Sequence, residues 1–337
     1  MYLNRIILII FILAFAAMPA RALFGFSKEQ RAQKAALEEA SAAYNRGEWE
    51  PVVDIMEEFL LKGAQKEDLK KAYLLIGSSY EKQGAYDKAL LKYGEAAEFF
   101  PKDIELNLAL ADIYYVGGLT EKAVAAYNKV LELDKNNLHA LLALARAYMA
   151  EGSFWRASHY FKKYFDAGGT PSPGGGQGAA DIYYDYSLSY FLANENQKAL
   201  ELVSRANEIQ SGARISFLTA KIYKAMGDDK NAFAHINAAV AYPGAGDDII
   251  LTRALWLAYD GQTKEALSIA DSFLKKDPAD RPALFIKYLA YARADRAKEG
   301  RKYLETIAAS DADGFIENIA RTILKTPATN RISNLKI

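Results

Sequence analysis

Cysteine is absent from the 337 residues. That excludes disulfides, thiolate nucleophiles, cysteine-ligated metal and a lipid anchor on an N-terminal cysteine. Histidine is scarce: His139, His159 and His235 are the whole supply, and none stands at metal-ligand spacing from another His or a carboxylate. Each reads as a surface or half-buried residue, because a catalytic histidine needs an oriented partner. There is no excess of either charge, with 42 basic and 42 acidic residues. A neutral chain lacks the basic surplus that a nucleic-acid or anionic-lipid platform wants, and no run of five like charges supplies one locally. Ser78 and Ser187 lack a G-x-S-x-G turn, and no Lys-Ser/Thr follows the glycine tract as a P-loop requires. Glu81-Lys82 and Asp87-Lys88 read as solvated helix faces. The sequence therefore predicts no enzyme, no cofactor and no metal.

A long hydrophobic run occurs once, at the start. Arg5 precedes an apolar core from Ile6 to Ala17, Pro19 breaks it, and Ala20-Arg21-Ala22 offers small residues at −3 and −1. This is the layout of a cleaved secretory signal over residues 1–22, so Leu23 is the expected first residue of the mature chain. The core is shorter than the roughly 20 residues that cross a bilayer, which argues against a retained anchor. Without residues 1–22 the chain carries 40 basic and 42 acidic side chains. The expected protein is exported, disulfide-free and bacterial periplasmic, with no stable membrane insertion after cleavage.

What the sequence has in quantity is periodicity. Tyr73, Ile76, Gly77, Tyr80, Gly84, Tyr86, Ala89, Tyr93, Ala96 and Pro101 mark one unit. Thirty-four residues on, Leu110, Ala111, Tyr114, Gly118, Ala123 and Tyr127 fill the same slots, then Leu144, Ala145, Tyr148, Gly152, Ala157 and Phe161. Self-similarity at this period marks stacked helical hairpins, none able to bury its apolar face alone. Eight units start near Gln33, Lys70, Ile104, Leu138, Ala180, Ala213, Asp247 and Arg281. Their turn slot holds Gly47, Gly84, Gly118, Gly152, Asn194, Gly227, Gly261 and Asp295, mostly residues suited to a left-handed helix cap. A crossing slot holds Ala89, Ala123, Ala157, Ala199, Ala232 and Ala266 so that two helices approach closely. Tyr80, Tyr114, Tyr148, Tyr190, Tyr223 and Tyr291 share one first-helix slot and are expected in the core. In the last unit, Tyr288 and Gly300 read as a compensating pair, ring against missing methyl. Gly314 to Lys325 reads as one amphipathic capping helix with Phe315, Ile319 and Ile323 on its buried face.

The aromatic, Gly, Tyr, Ala, Tyr and Pro slots from Lys70 to Asp103 resemble the tetratricopeptide repeat (TPR). The resemblance implies an all-α, right-handed superhelical solenoid of about eight helix-turn-helix units with a C-terminal capping helix. One interruption breaks it: Gly168 to Gly178 holds six glycines and two prolines in eleven residues, a flexible coil that is either a hinge or a passive edge loop. The expected layout is a first block over 23–167, a linker over 168–178, a second block over 179–325 and a loose tail over 326–337.

In this repeat class the first helices line a concave face. Its slots hold Leu108, Asp112, Tyr115, Leu142, Arg146 and Met149 in the first block, and Tyr184, Leu188, Phe191, Arg214, Phe217, Lys221 and Lys224 in the second. Chaperone-docking relatives use Lys and Asn in slots that here hold Leu74 with Ser78 and Leu108 with Asp112, so docking of chaperone tails is not expected. Tyr184, Leu188 and Phe191 fall at i, i+4 and i+7, one helix face, while Tyr183, Tyr186 and Tyr190 belong to another. Tyr115, Met149, Tyr184, Leu188 and Phe191 are the candidate groove, either for an apolar segment or amphipathic helix of a protein in the cell envelope or simply packing helix on helix. Two alternatives stay open: a carrier of a small hydrophobic ligand or glycan, and an outer-membrane assembly subunit. The missing anchor cysteine counts against the last.

Overall fold

The computed structural model describes residues 28–63, 65–170, 178–310 and 314–325. The signal segment with its Leu23 junction, most of the glycine tract and the 326–337 tail lie outside the described residues. Seventeen helices and no strand occur among the described residues. They fall into two compact units, one ending at Gly169 and the other beginning at Thr170.

The first unit holds α1 (Lys28–Arg46), α2 (Trp49–Leu61), α3 (Lys66–Lys82), α4 (Tyr86–Phe99), α5 (Ile104–Val116), α6 (Thr120–Leu133), α7 (Leu138–Ala150) and α8 (Phe154–Asp166). The second holds α9 (Ala179–Leu192), α10 (Asn196–Ile209), α11 (Ala213–Ala225), α12 (Asp229–Ala241), α13 (Asp247–Tyr259), α14 (Thr263–Lys276), α15 (Arg281–Arg293), α16 (Ala297–Ala308) and α17 (Phe315–Lys325). Odd-numbered helices through α15 are the first helices of the hairpins, even-numbered ones the second. Each helix packs chiefly on its neighbours in sequence, as expected of stacked hairpins.

One turn joins the two helices of each hairpin. All eight turn-slot residues have positive φ, from 56° at Asp295 to 82° at Gly261. Two backbone bonds close such a turn: Gly84 N donates to the Glu81 carbonyl and Ala85 N to the Tyr80 carbonyl. The same pair recurs at Gly118 and Leu119, Gly152 and Ser153, Asn194 and Glu195, and Gly227 and Asp228. This is the Schellman arrangement, in which a left-handed residue lets two terminal carbonyls find partners. Gly168 and Gly169 close α8 the same way, donating to Phe165 and Tyr164, so these two residues of the predicted linker are helix cap.

All six crossing-slot alanines are fully buried. Where a first helix also needs a small residue, Gly77 supplies it: a Cβ there would lie 2.3 Å from the buried Tyr93 ring. Gly300 differs from its sequence reading. A methyl at Gly300 would meet the Tyr288 carbonyl oxygen at 3.0 Å and the Tyr291 Cβ at 3.1 Å. The space is closed by the α15 backbone, and the Tyr288 ring packs on Phe285 instead. The supposed ring-for-methyl exchange does not exist.

The slot tyrosines are also placed differently. Tyr148 is buried, but Tyr80, Tyr114, Tyr190, Tyr223 and Tyr291 are half-buried. Four of these rings lie at the hairpin surface under a cation of the following helix or turn: Lys88 on Tyr80, Lys122 on Tyr114, Lys198 on Tyr190 and Arg296 on Tyr291, at 4.9–5.7 Å, while Tyr223 stacks on His235. Burial under an ammonium needs no apolar neighbour, so periodicity that marks a core slot marks this one equally. The capping helix is a second correction. Ile323 and Ala320 are buried and Ile319 is half-buried, but Phe315 is 81% exposed, so the predicted stripe does not reach the start of α17.

Candidate functional site

On the first-helix face of the first unit, Tyr115 (α5) and Met149 (α7) are half-buried and rest on one core cluster that includes Tyr127, Leu144 and Tyr148. Beside them lies a polar constellation that the sequence reading missed. Asp112 Oδ1 accepts a 2.5 Å bond from the Tyr127 hydroxyl and lies 2.8 Å from His139 Nε2. The bond from Asp112 holds His139 above the usual imidazole range, against the opposing effect of its burial. Burial, then the Asp112 carboxylate, pushes the Tyr127 phenol up. One hairpin earlier, Tyr93 and Glu81 influence each other, and burial raises the pKa of both. Glu81 is therefore no solvated surface charge. In sequence the three partners stand 15 and 27 residues apart, one on each of three consecutive helices, a spacing that corresponds to no local motif.

In the second unit, Tyr184, Leu188 and Phe191 (α9) are half-buried and rest together on a cluster that includes Ile215, Leu218 and Ile222. Their surroundings are not the bare apolar groove that the sequence predicts. Arg214 (α11) lies 4.0 Å from the Tyr184 ring centroid and bonds Asp181 at 2.7 Å. Lys221 sits over both Phe191 and Phe217, at 5.8 and 5.3 Å. Lys224 sits over Trp256 at 5.6 Å and pairs with Asp229. The site is an aromatic floor under a row of cations. Lys221 is exposed and pairs with no carboxylate among the described residues. Tyr115 and Met149 thus belong to the first unit, and Tyr184, Leu188 and Phe191 to the second.

Further along the same first-helix face is a cavity of about 580 Å³ between α13, α15 and α17, lined by Leu251, Leu255, Phe285, Ile316 and Ile319 among others. Its signal was present in the sequence. The slots that select Tyr184 and Leu188 select Leu251 and Leu255 in the seventh hairpin, and the first of them selects Phe285 in the eighth. In the first unit the larger recesses, about 930 Å³ between α1 and α3 and 690 Å³ between α3 and α5, carry Gln33, Ser41, Asn45, Asp68, Lys70 and Glu105 in their walls.

No helix among the described residues is long and apolar enough to cross a membrane, and no group of three His, Cys, Asp or Glu side chains among them is placed to hold a metal ion. No protein-family model and no curated protein matches the sequence. Solved structures do. A tetratricopeptide repeat protein from Parabacteroides merdae superposes with a TM-score of 0.52 at 15% identity, over 77% of this chain and 99% of that one. PilF of Pseudomonas aeruginosa gives 0.51 at 15% identity, over 65% and 96%. MamA from Desulfovibrio magneticus is similar over 52% of this chain and 94% of its own, at 19% identity and a TM-score of 0.47. Identities this low speak to architecture alone. With the 34-residue slots and the repeated turn, the first two likenesses show that the chain folds as a tetratricopeptide-repeat array.

Proposed function

We propose that this protein is a non-enzymatic scaffold of the bacterial periplasm that holds an apolar segment or amphipathic helix of an envelope protein against its first helices. The observation that carries the reading is the aromatic floor of α9 and α11 with Lys221 above it. Two aromatic rings and an ammonium with no carboxylate partner form a surface on which a partner can bury apolar area and place an acidic group. The fold supports a protein partner, since helical-repeat arrays present extended surfaces. The export reading rests on residues 1–22 alone. The proposed surface is Tyr184, Leu188 and Phe191 in the second unit, and Tyr115 with Met149 is a separate candidate surface in the first.

The test is capture of cross-linked partners from the envelope of the native host by wild type and by Tyr184→Ala with Phe191→Ala. The double variant is expected to stay folded, because both rings are half-buried, and to lose most of the captured protein. A variant that melts early means these rings are packing. A well-folded variant that captures every partner places the working surface elsewhere, and retention of residues 1–22 in a membrane fraction overturns the export reading.

A further inference from the structure

The cavity between α13, α15 and α17 stands apart from every other recess described here in having walls that are almost wholly carbon. Leu251 and Leu255 stand one turn apart on α13, Phe285 comes from α15, and Ile316 and Ile319 from α17. Phe315, at the first position of α17, also lines it and is 81% exposed. A large apolar ring left in water at the mouth of an apolar cavity is unfavourable surface that an occupant would bury.

Charge defines that occupant. Asp248 lines the cavity, and Asp247 lies beside it in the first turn of α13. Asp280 caps α15 at the same N-terminal edge, two residues before the lining Pro282. Glu317, in the first turn of α17, pairs with Arg281 at 2.6 Å. Asp247, Asp248 and Asp280 pair with no cation among the described residues. The edge is therefore acidic along its length, spread over two helices, which suits several cations on one chain better than a single head group. A volume of about 580 Å³ exceeds any one side chain, so the cavity admits successive residues of one helix face.

Resting on the scaffold reading, we infer that this cavity is an anchor site for an amphipathic helix whose apolar stripe fills the space between α13, α15 and α17 and whose flanking residues are basic. The apolar stripe meets Leu251, Leu255, Phe285 and Phe315, and the basic flank meets Asp247, Asp248 and Asp280. This adds a second pole to the surface of α9 and α11, where the partner's charge is acidic. The two poles fix the direction in which a segment lies, because reversing it would put like charges together at both ends.

The test uses the full chain and two fluorescein-labelled synthetic helices with leucine at i, i+3, i+4 and i+7, one flanked by lysines and the other by glutamates, read by anisotropy at low salt. The lysine-flanked peptide is expected to bind about tenfold tighter than the glutamate-flanked one. Phe315→Ser is expected to weaken it by about tenfold with the melting temperature unchanged, since the ring touches solvent in the free protein. Asp248→Lys is expected to abolish or reverse the preference between the peptides. Equal binding of both peptides overturns the inference, as does unchanged affinity in both variants. Saturation by dodecylamine at one equivalent, with neither peptide displacing it, makes this a small-ligand cavity and overturns it too. The two readings fail separately: if Tyr184→Ala with Phe191→Ala loses envelope partners while Phe315→Ser and Asp248→Lys bind both peptides as wild type does, the scaffold stands and only the cavity assignment falls.

Discussion

The two units use one backbone plan to present opposite chemistry on their first helices. In the first, an inner-face acid accepts a bond from a tyrosine hydroxyl that reaches through from the second helix, as Asp112 does from Tyr127, and Tyr93 is buried beside Glu81. In the second, cations of α11 lie on aromatic rings, and the face ends in a carbon-walled cavity. The difference comes from very few positions. Phe161 stands in the slot of Tyr93 and Tyr127, and the second unit fills it with Val203, Ile236, Ala270 and Leu304, all buried. With no hydroxyl arriving from behind, an inner-face acid gains nothing, and that face is free to be aromatic. A recurrent fold therefore fixes where side chains stand, while one slot on the hidden helix decides which chemistry the visible helix supports.

The largest expected effect tests the packing behind this contrast. Gly77→Ala drives a methyl into the Tyr93 ring, which is buried. The cost is expected at the upper end of overpacking, about 3 kcal/mol. Gly300→Ala meets backbone at 3.0 Å, a smaller intrusion, expected to cost about 1 kcal/mol. Denaturant melts of both variants give the order, and an inverted order means that α3 and α4 separate more easily than α15 and α16.

Tyr127→Phe comes next. It keeps the ring and deletes a bond to a carboxylate, a loss of about 2 kcal/mol. Tyr114→Phe, whose ring lies under Lys122, keeps its cation contact and is expected within about 0.5 kcal/mol of wild type. Equal losses at the two positions would erase the distinction between hydroxyl-bonded and cation-covered tyrosines.

The smallest effects have opposite signs. His139 has its pKa raised by Asp112, so its contribution is complete below the unfolded value near 6.5 and disappears as pH rises through the folded value. His235, stacked on Tyr223, has its pKa lowered by burial. Its folded form resists protonation, so stability is lost as pH falls below the unfolded value toward the folded one. Both rings are partly exposed, which keeps each effect below about 1 kcal/mol. Melting temperatures from pH 5 to 8 should show His139→Gln losing stability relative to wild type on the acid side and His235→Gln gaining it there. Parallel pH profiles for the two variants would refute the assigned causes.

The fold was legible because its rule is local and repeated. A left-handed turn residue, an alanine at the crossing and a tyrosine accepting the second turn bond recur at fixed offsets. The site was legible only in part. Tyr184, Leu188 and Phe191 stand at i, i+4 and i+7 of one helix and meet one cluster, which Tyr183 and Tyr190 of the other stripe also reach. The Asp112, Tyr127 and His139 group joins three helices, and no single-helix period reveals it. The cations on the aromatic rings were hidden for a related reason. Lys221 reads as a charge on α11, and that it covers a ring of α9 depends on how neighbouring helices are offset. Phe315 failed for its own reason: no later helix among the described residues covers the first turn of α17.

The eight-residue reach from Tyr80 to Lys88, Tyr114 to Lys122 and Tyr190 to Lys198 has a kinetic meaning. Each contact closes within one hairpin, across its own turn, and needs no distant part of the chain to be in place. Chains dominated by such short-range closures fold quickly, because little loop entropy is surrendered before contacts form. Any hairpin can then serve as the seed, with growth proceeding to either side as each neighbour docks. A polypeptide delivered one end first, as through a translocation pore, could begin assembling from whichever hairpin has emerged without waiting for the last residue.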